Sequence, residues 1–319
     1  MKRREFMAAL AGVAAAWPLA TWAQQAGAPR IGVLLVGNRE PFWSLFREGL
    51  RELGYVEGQN VLIEFRSGEG KLQALPNLAA ELVGLKVDII VASETPAVQA
   101  AKQATKDIPI IMSPSGDPVG TGLIDSLARP GGNVTGLSAA TAELAGKSLE
   151  LLREISPSAR RVAALADPKN SFTKPFLAQI GLAAERLGIE AKPYMIEGAD
   201  GFDRAFAEIA ARQVDAVIVQ PTLPRKAPVE LAIQHRLPAI SGNRAFADAG
   251  GLLSYAASLA DRYRGSAVYV DKILRGSRPA DLPVQQPTRF ELVINLKTAK
   301  TIGLTIPPAL LARADDVIE

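Results

Sequence analysis

The stretch Ile31-Gly32-Val33-Leu34-Leu35-Val36-Gly37-Asn38, followed at Pro41 by Phe42-Trp43-Ser44-Leu45-Phe46 and a helical run to Leu53-Gly54, decides the fold. An unbroken apolar run of this length, without polar alternation, describes a strand buried on both faces, as parallel sheets require. Gly37-Asn38 ends the strand, Pro41 opens the helix and Gly54 stops it. The same unit then recurs: strands are predicted over 61–65, 88–92, 108–112 and 134–137, and helices over 72–83 and from Thr95-Pro96 onward.

Beyond the connection Pro130-Gly131-Gly132 the rhythm restarts, with helices over 142–155, 174–187, 202–212 and 228–235 between strands over 162–166, 191–195, 216–219 and 239–240. Two successive units of about five strands each predict an α/β chain of two Rossmann-like lobes with parallel sheets, rather than one very wide sheet. Past Tyr255 come a long helix over 260–274, a loop containing Pro279, Pro283 and Pro287, a strand-like run over 290–294 and a last helix after Asn295. These additions imply that the chain crosses back between the lobes. Several crossings make a hinge, and a hinge makes a cleft that can close.

Composition removes several classes of function. The 319 residues are 48% hydrophobic and 22% charged, which excludes a disordered chain and leaves room for two domains. There is no cysteine, so disulfides, thiolate nucleophiles and cysteine-held metals are excluded. The single histidine, His235, weakens any scheme that needs two imidazoles, and no metal or cofactor is expected. The net charge of +3 is small, and residues 1–23 hold Lys2, Arg3 and Arg4 against Glu5 alone. What remains is nearly neutral, so no nucleic-acid partner is expected.

Lys2-Arg3-Arg4-Glu5-Phe6-Met7 reads as a charged leader and Ala8 to Ala16 as an apolar core too short to span a bilayer. Thr21-Trp22-Ala23 offers small residues at the two positions a signal peptidase accepts, placing cleavage after Ala23 and the mature protein in the periplasm. The paired arginines resemble a twin-arginine export signal.

Catalytic templates are missing: there is no G-x-x-x-x-G-K-[ST] loop, no G-x-S-x-G elbow and no H-E-x-x-H. The glycine-rich run Gly116 to Gly122 reads as a tight loop leading into a helix start near Asp117, and His235 as a solvated helix end. The sequence does place polar residues at the carboxyl ends of the predicted strands, where open α/β sheets bind ligands. In the first unit these are Asn38, then Ser93, Glu94 and Thr95, then Ser113, Ser115 and Asp117. In the second they are Asp167 and Asn170, Gln220 and Thr222, and Ser241 with Asn243. Side chains of this kind, poor in titratable bases, suit capture of a small molecule better than turnover. Phe42 and Trp43 at the rim of the first strand, and Tyr255 at the predicted hinge, are the aromatic candidates for a ligand wall.

Several longer strings carry a family resemblance: Ser93-Glu94-Thr95-Pro96-Ala97 leading to Lys102, Gly116-Asp117-Pro118-Val119, and Ser126 to Gly136 with its Arg129-Pro130-Gly131-Gly132-Asn133 centre. Toward the C-terminus, Gly250-Gly251-Leu252-Leu253-Ser254-Tyr255, Tyr269 to Leu274, Phe290 to Lys297 and Pro307-Pro308 continue it. Together they resemble the substrate-binding proteins of a branch of ABC importers, over nearly all of the mature chain. The resemblance implies a type I periplasmic-binding fold with three crossings, a small-molecule solute and a permease in the cytoplasmic membrane as partner; some family members are similar to aromatic amino-acid binders. Ala256 stands where the resemblance would have glycine.

On this reading residues 28–138 with 257–287 form one lobe and 139–256 with 288–319 the other, and the protein is a non-catalytic solute receptor, expected to be a monomer. A sensor module of the same fold and an exported Rossmann-like oxidoreductase are the alternatives; the missing dinucleotide fingerprint argues against the second. Replacing Arg3 and Arg4 together by lysine is expected to leave the precursor in the cytoplasm, as cell fractionation would detect. Unchanged export would assign the general secretory route instead.

Overall fold

The computed structural model describes residues 27–198 and 200–319; the segment read as an export signal, with its cleavage position, lies outside the described residues. In β1 (Arg30–Leu35) successive side chains enter different cores. Ile31, Val33 and Leu35 face the layer where α1 (Phe42–Glu52) contributes Phe42, Trp43, Phe46 and Leu50. After β2 (Leu62–Ser67), α2 (Leu75–Gly84) contributes Leu75, Ala79 and Leu82 to the opposite layer, which receives Leu34 and Val36. A strand that is apolar at both parities needs helices on both faces, and each large side chain so buried contributes roughly 1.5–3 kcal/mol.

The first sheet is completed by β3 (Ile89–Ser93), α3 (Thr95–Ala104), β4 (Ile110–Ser115) and β5 (Val134–Ser138). Its order is β2-β1-β3-β4-β5 and every neighbouring pair is parallel. Their carboxyl ends therefore share one edge.

The second lobe opens with α4 (Thr141–Ile155), β6 (Arg161–Ala166), α5 (Thr173–Leu187), β7 (Glu190–Met195) and α6 (Gly201–Ala211). It continues through β8 (Ala216–Val219), α7 (Lys226–Gln234), β9 (Ala239–Ser241), α8 (Arg244–Asp248) and β10 (Leu253–Ala257). Beyond α9 (Leu259–Leu274) follow β11 (Phe290–Asn295), α10 (Leu296–Ile302), α11 (Pro308–Leu311) and β12 (Asp316–Ile318). The sheet order is β12-β11-β10-β9-β8-β6-β7, parallel except where β10 meets β11. Seven strands replace the expected five or so. Leu253-Ser254-Tyr255-Ala256-Ala257 has no β-branched residue to mark it, and β12 is a three-residue edge strand that exists only by pairing with β11.

The chain passes between the sheets at Ala139-Ala140, at Ser258 and over 286–289. These passages are tied together through the backbone: Ser138 N–H donates to Gln285 O at 2.8 Å, Gln285 N–H to Gly136 O at 3.0 Å and Ser258 N–H to Arg289 O at 3.1 Å. A cavity of about 140 Å³ lies among them, lined by Ser138, Ser258, Arg262, Gln286 and Arg289. Although α9 follows β10 of the second sheet, it packs on α1 of the first lobe. Gly49 allows this approach, since a Cβ there would sit 2.9 Å from Arg264 O.

The tightest backbone approach joins β4 to β5. Gly136 has φ of 124°, and a Cβ on it would lie 2.5 Å from Met112 O and 2.6 Å from Met112 N. Gly136→Ala must both strain the backbone and spread the two strands, so a loss of more than about 2 kcal/mol is expected in urea unfolding. An unchanged midpoint would mean that the strands are not held as described.

Candidate functional site

The carboxyl ends of β3 and β4 form a polar ledge on the first lobe. The Thr95 and Ser115 hydroxyls hydrogen-bond at 2.9 Å, and Gly116 N–H donates to Thr95 Oγ1 at 3.1 Å. Ser93 ends β3 beside the hydroxyl of Tyr263, which comes from α9. Two further bonds, Ala139 N–H to Ser115 O at 2.7 Å and Thr141 N–H to Gly116 O at 3.0 Å, fasten the ledge to the first interlobe passage. Movement at the hinge is thus felt directly at the ledge.

Opposite stand the carboxyl ends of β6 and β8. Gln220, with no exposed surface, accepts a hydrogen bond from Asp167 N–H at 2.7 Å and donates to Thr173 Oγ1 at 3.0 Å. Asn170 donates to Thr222 Oγ1 at 2.8 Å and accepts from Phe172 N–H at 2.9 Å, which aims the Phe172 ring. The ring reaches across to the first lobe, where a Cβ on Gly116 would come within 2.7 Å of it. Glycine at this position is what lets the lobes meet.

Charge gathers at Glu94, between β3 and α3. Its backbone has φ 71° and ψ 148°, outside the left-handed helical region and in a region favoured by glycine. Burial pushes its carboxyl up to about 7, against the opposing pull of two cations, Arg225 just before α7 and Arg262 of α9. Burial also lowers Arg262 and raises Tyr263. One wall therefore carries a carboxylate, while the second lobe and α9 supply guanidinium groups.

Ser93, Glu94, Thr95 and Ser115 are brought together on the ledge, and Asp167, Asn170, Gln220 and Thr222 on the facing edge. Ser113 is fully buried and its hydroxyl bonds instead to Ser266 of α9. Asn243 caps α8 by accepting from Ala245 N–H at 3.0 Å and donates to Pro221 O. Asp117 accepts from Gly120 N–H at 2.8 Å within a turn; the helix start expected there does not form. Asn38 is exposed, and Tyr255 stacks on Phe290 with centroids 6.0 Å apart.

The two rim aromatics are buried instead. Phe42 stacks on Phe46 at 5.2 Å and meets Tyr263 edge-on, and Trp43 packs against Phe65 under the Arg39 guanidinium. Their spacing with Phe46 and Leu50 is that of one helix face, and α9 completes the core around them. His235 caps the end of α7 with its ring 5.8 Å from that of Phe206.

The structure adds Gly116, Phe172, Arg225, Arg262 and Tyr263 to the cleft. Arg225, three residues beyond Thr222, could have been found by extending the strand-end rule. Arg262 and Tyr263 could not, because a helix that returns from the other lobe brings them. Among the described residues no group of acidic residues and histidine could hold a metal ion, and no helix is long and apolar enough to cross a membrane.

Residues 42–318 match the family described as ABC transporter substrate binding protein. The chain belongs to that family. A tyrosine-binding protein of Clostridioides difficile (strain R20291) is 28% identical over 264 residues, covering 81% of this chain and 75% of the relative. The crystal structure of an ABC domain in complex with L-Trp from Streptococcus pneumonia is 29% identical, with a TM-score of 0.82 over 92% of this chain and all of that one. A conserved domain protein from Vibrio cholerae gives 28% identity and a TM-score of 0.84 over 91% of this chain and all of that one. The fold is the type I periplasmic-binding fold, and the protein is the substrate-binding component of an ABC transporter, working outside the cytoplasm with an ABC permease. Its relatives are binding proteins rather than enzymes.

Burial of the Glu94 carboxyl has a consequence for stability. A carboxyl raised from 4.5 to about 7 binds its proton more tightly in the folded protein, so its contribution to stability is greatest below the lower value and is lost as pH rises through the upper one. Glu94→Gln removes this dependence. Thermal unfolding between pH 5 and pH 8 should show the wild type losing stability relative to the variant; parallel profiles would contradict the burial described.

Proposed function

We propose that this chain captures an aromatic amino acid in the interlobe cleft and delivers it to its permease as a monomeric, non-catalytic receptor, exported to the periplasm and cleaved after Ala23. Residues 28–138 with 257–287 act as one lobe, and 139–256 with 288–319 as the other. The observation that carries the reading is the Phe172 ring against Gly116, whose N–H is bonded to Thr95 of the ledge. An aromatic side chain beside fixed hydroxyls suits a flat solute with a polar end. The tyrosine and tryptophan named for the two relatives above are solutes of that shape.

Capture works by closure. In an open form each lobe offers only half of the contacts, whereas the closed form gives the solute both halves and excludes water from the charged groups. Binding therefore shifts the population toward the closed form, which the permease recognises.

A thermal-shift screen of the twenty L-amino acids tests the reading. At about 100 times its Kd a ligand of the folded state adds about 2.7 kcal/mol, or roughly 5–10 °C in Tm for a chain of this size. Tyrosine, tryptophan or phenylalanine should give such a rise, and Phe172→Ala should reduce the affinity by about 1–3 kcal/mol in calorimetry. No response to any aromatic amino acid would overturn the assignment of ligand class.

A further inference from the structure

The cavity among the interlobe passages has a lining that solute capture does not explain. Ser258 is the N-cap residue of α9, where a serine ordinarily turns its oxygen onto an N–H of the first helical turn. Here it does not. The residue is only 3% exposed and lines the cavity, and among the described residues its hydroxyl has no hydrogen-bond partner. The sixteen-residue α9 therefore starts with uncapped N–H groups at this place, where its dipole is positive. Arg262, one turn on, also lines the cavity: its Nε donates to Ser258 O at 3.2 Å, while among the described residues its terminal nitrogens meet no acceptor. Ser138, likewise 3% exposed, accepts from Ala140 N–H at 3.1 Å, which leaves its own proton available to donate. The one carboxylate of the lining, Asp261, is paired with Arg289 at 4.0 Å. Thr288 and Arg289 are exposed and leave the cavity open to solvent.

We propose that this cavity is a second binding site, for a small oxyanion such as sulfate or phosphate, which staples the three interlobe passages together and favours the closed lobes. Two guanidinium groups against one carboxylate make the lining positive, and the unmatched hydroxyls and N–H groups are donors without an acceptor; a set of donors of this kind suits an anion. Its volume of about 140 Å³ is ample, since a single water needs only about 10–15 Å³. The anion takes Ser138 from the first passage, Ser258 from the second and Arg289 from the third. These donors converge only in the arrangement seen here, so the ion binds the closed form better than one in which the passages have moved apart. Solute and oxyanion then favour the same form, and each raises the affinity for the other. Arg262 belongs to both the cavity and the cleft, so the variants that test the site leave it in place.

The test is calorimetry of the solute-free protein with sulfate and with phosphate, in a chloride background of constant ionic strength. At least one of them should bind saturably, and the two titrations show which the cavity takes. Ser258→Ala, whose hydroxyl holds nothing in place, and Arg289→Gln, whose side chain is 73% exposed, should both fold and should each weaken that binding by about tenfold. Small-angle X-ray scattering of the same samples should show a smaller radius of gyration at saturating oxyanion, with less change in either variant. Binding of equal strength in wild type and both variants means an adventitious ion only and overturns the site, as does the absence of saturable heat from both salts. Binding that leaves the radius unchanged overturns the role in closure. None of these results depends on which solute the cleft takes, so failure of this inference and failure of the aromatic amino-acid reading are told apart.

Discussion

The closed arrangement depends on a missing side chain. Gly116 ends the ledge on the first lobe, and the Phe172 ring of the second lobe lies where its Cβ would be. Any larger residue would hold the lobes apart by the thickness of at least a methyl group, and the charged groups that face one another across the cleft would then be separated by water. The ledge is itself rigid, because Thr95 Oγ1 bonds both the Ser115 hydroxyl and the Gly116 N–H, while the carbonyls of Ser115 and Gly116 accept from Ala139 and Thr141 N–H just beyond β5. Hinge, ledge and lid are therefore one mechanical unit.

The electrostatics follow from that closure. Arg225 belongs to the second lobe, so its influence on Glu94 exists only when the lobes are together, whereas Arg262 lies on the helix packed against the first lobe. A solute that hydrogen-bonds both walls can substitute for the water removed from the cleft, whereas one that reaches a single wall leaves part of it desolvated and unpaired. Contacts to both walls and lobe closure thus reinforce each other, which is how a small ligand can bias a large motion.

Much of this architecture can be read from residues. The run Ile31 to Val36 is apolar at both parities, and burial on both faces follows from that pattern alone. With these strands parallel in both sheets, the positions of Ser93, Thr95 and Ser115 at one edge, and of Asn170 and Thr222 at the facing one, also follow. The limits are equally physical. Phe42 and Trp43 have the spacing of a helix face, but what covers that face is α9, more than two hundred residues later. Ser113 turns toward Ser266 of the same helix rather than toward the cleft. β12 takes its identity from pairing with β11, and nothing in a glutamate between Ser93 and Thr95 announces a backbone conformation suited to glycine. Long-range packing and backbone strain are the two things local pattern does not encode.

The crystal structure of the protein grown with L-tryptophan tests the central claim most directly. The solute is expected in the interlobe cleft beside the Phe172–Gly116 contact, within hydrogen-bond distance, about 2.7–3.2 Å, of groups on both walls. A solute seated in the cavity among the interlobe passages, or bound to one wall alone, would contradict it.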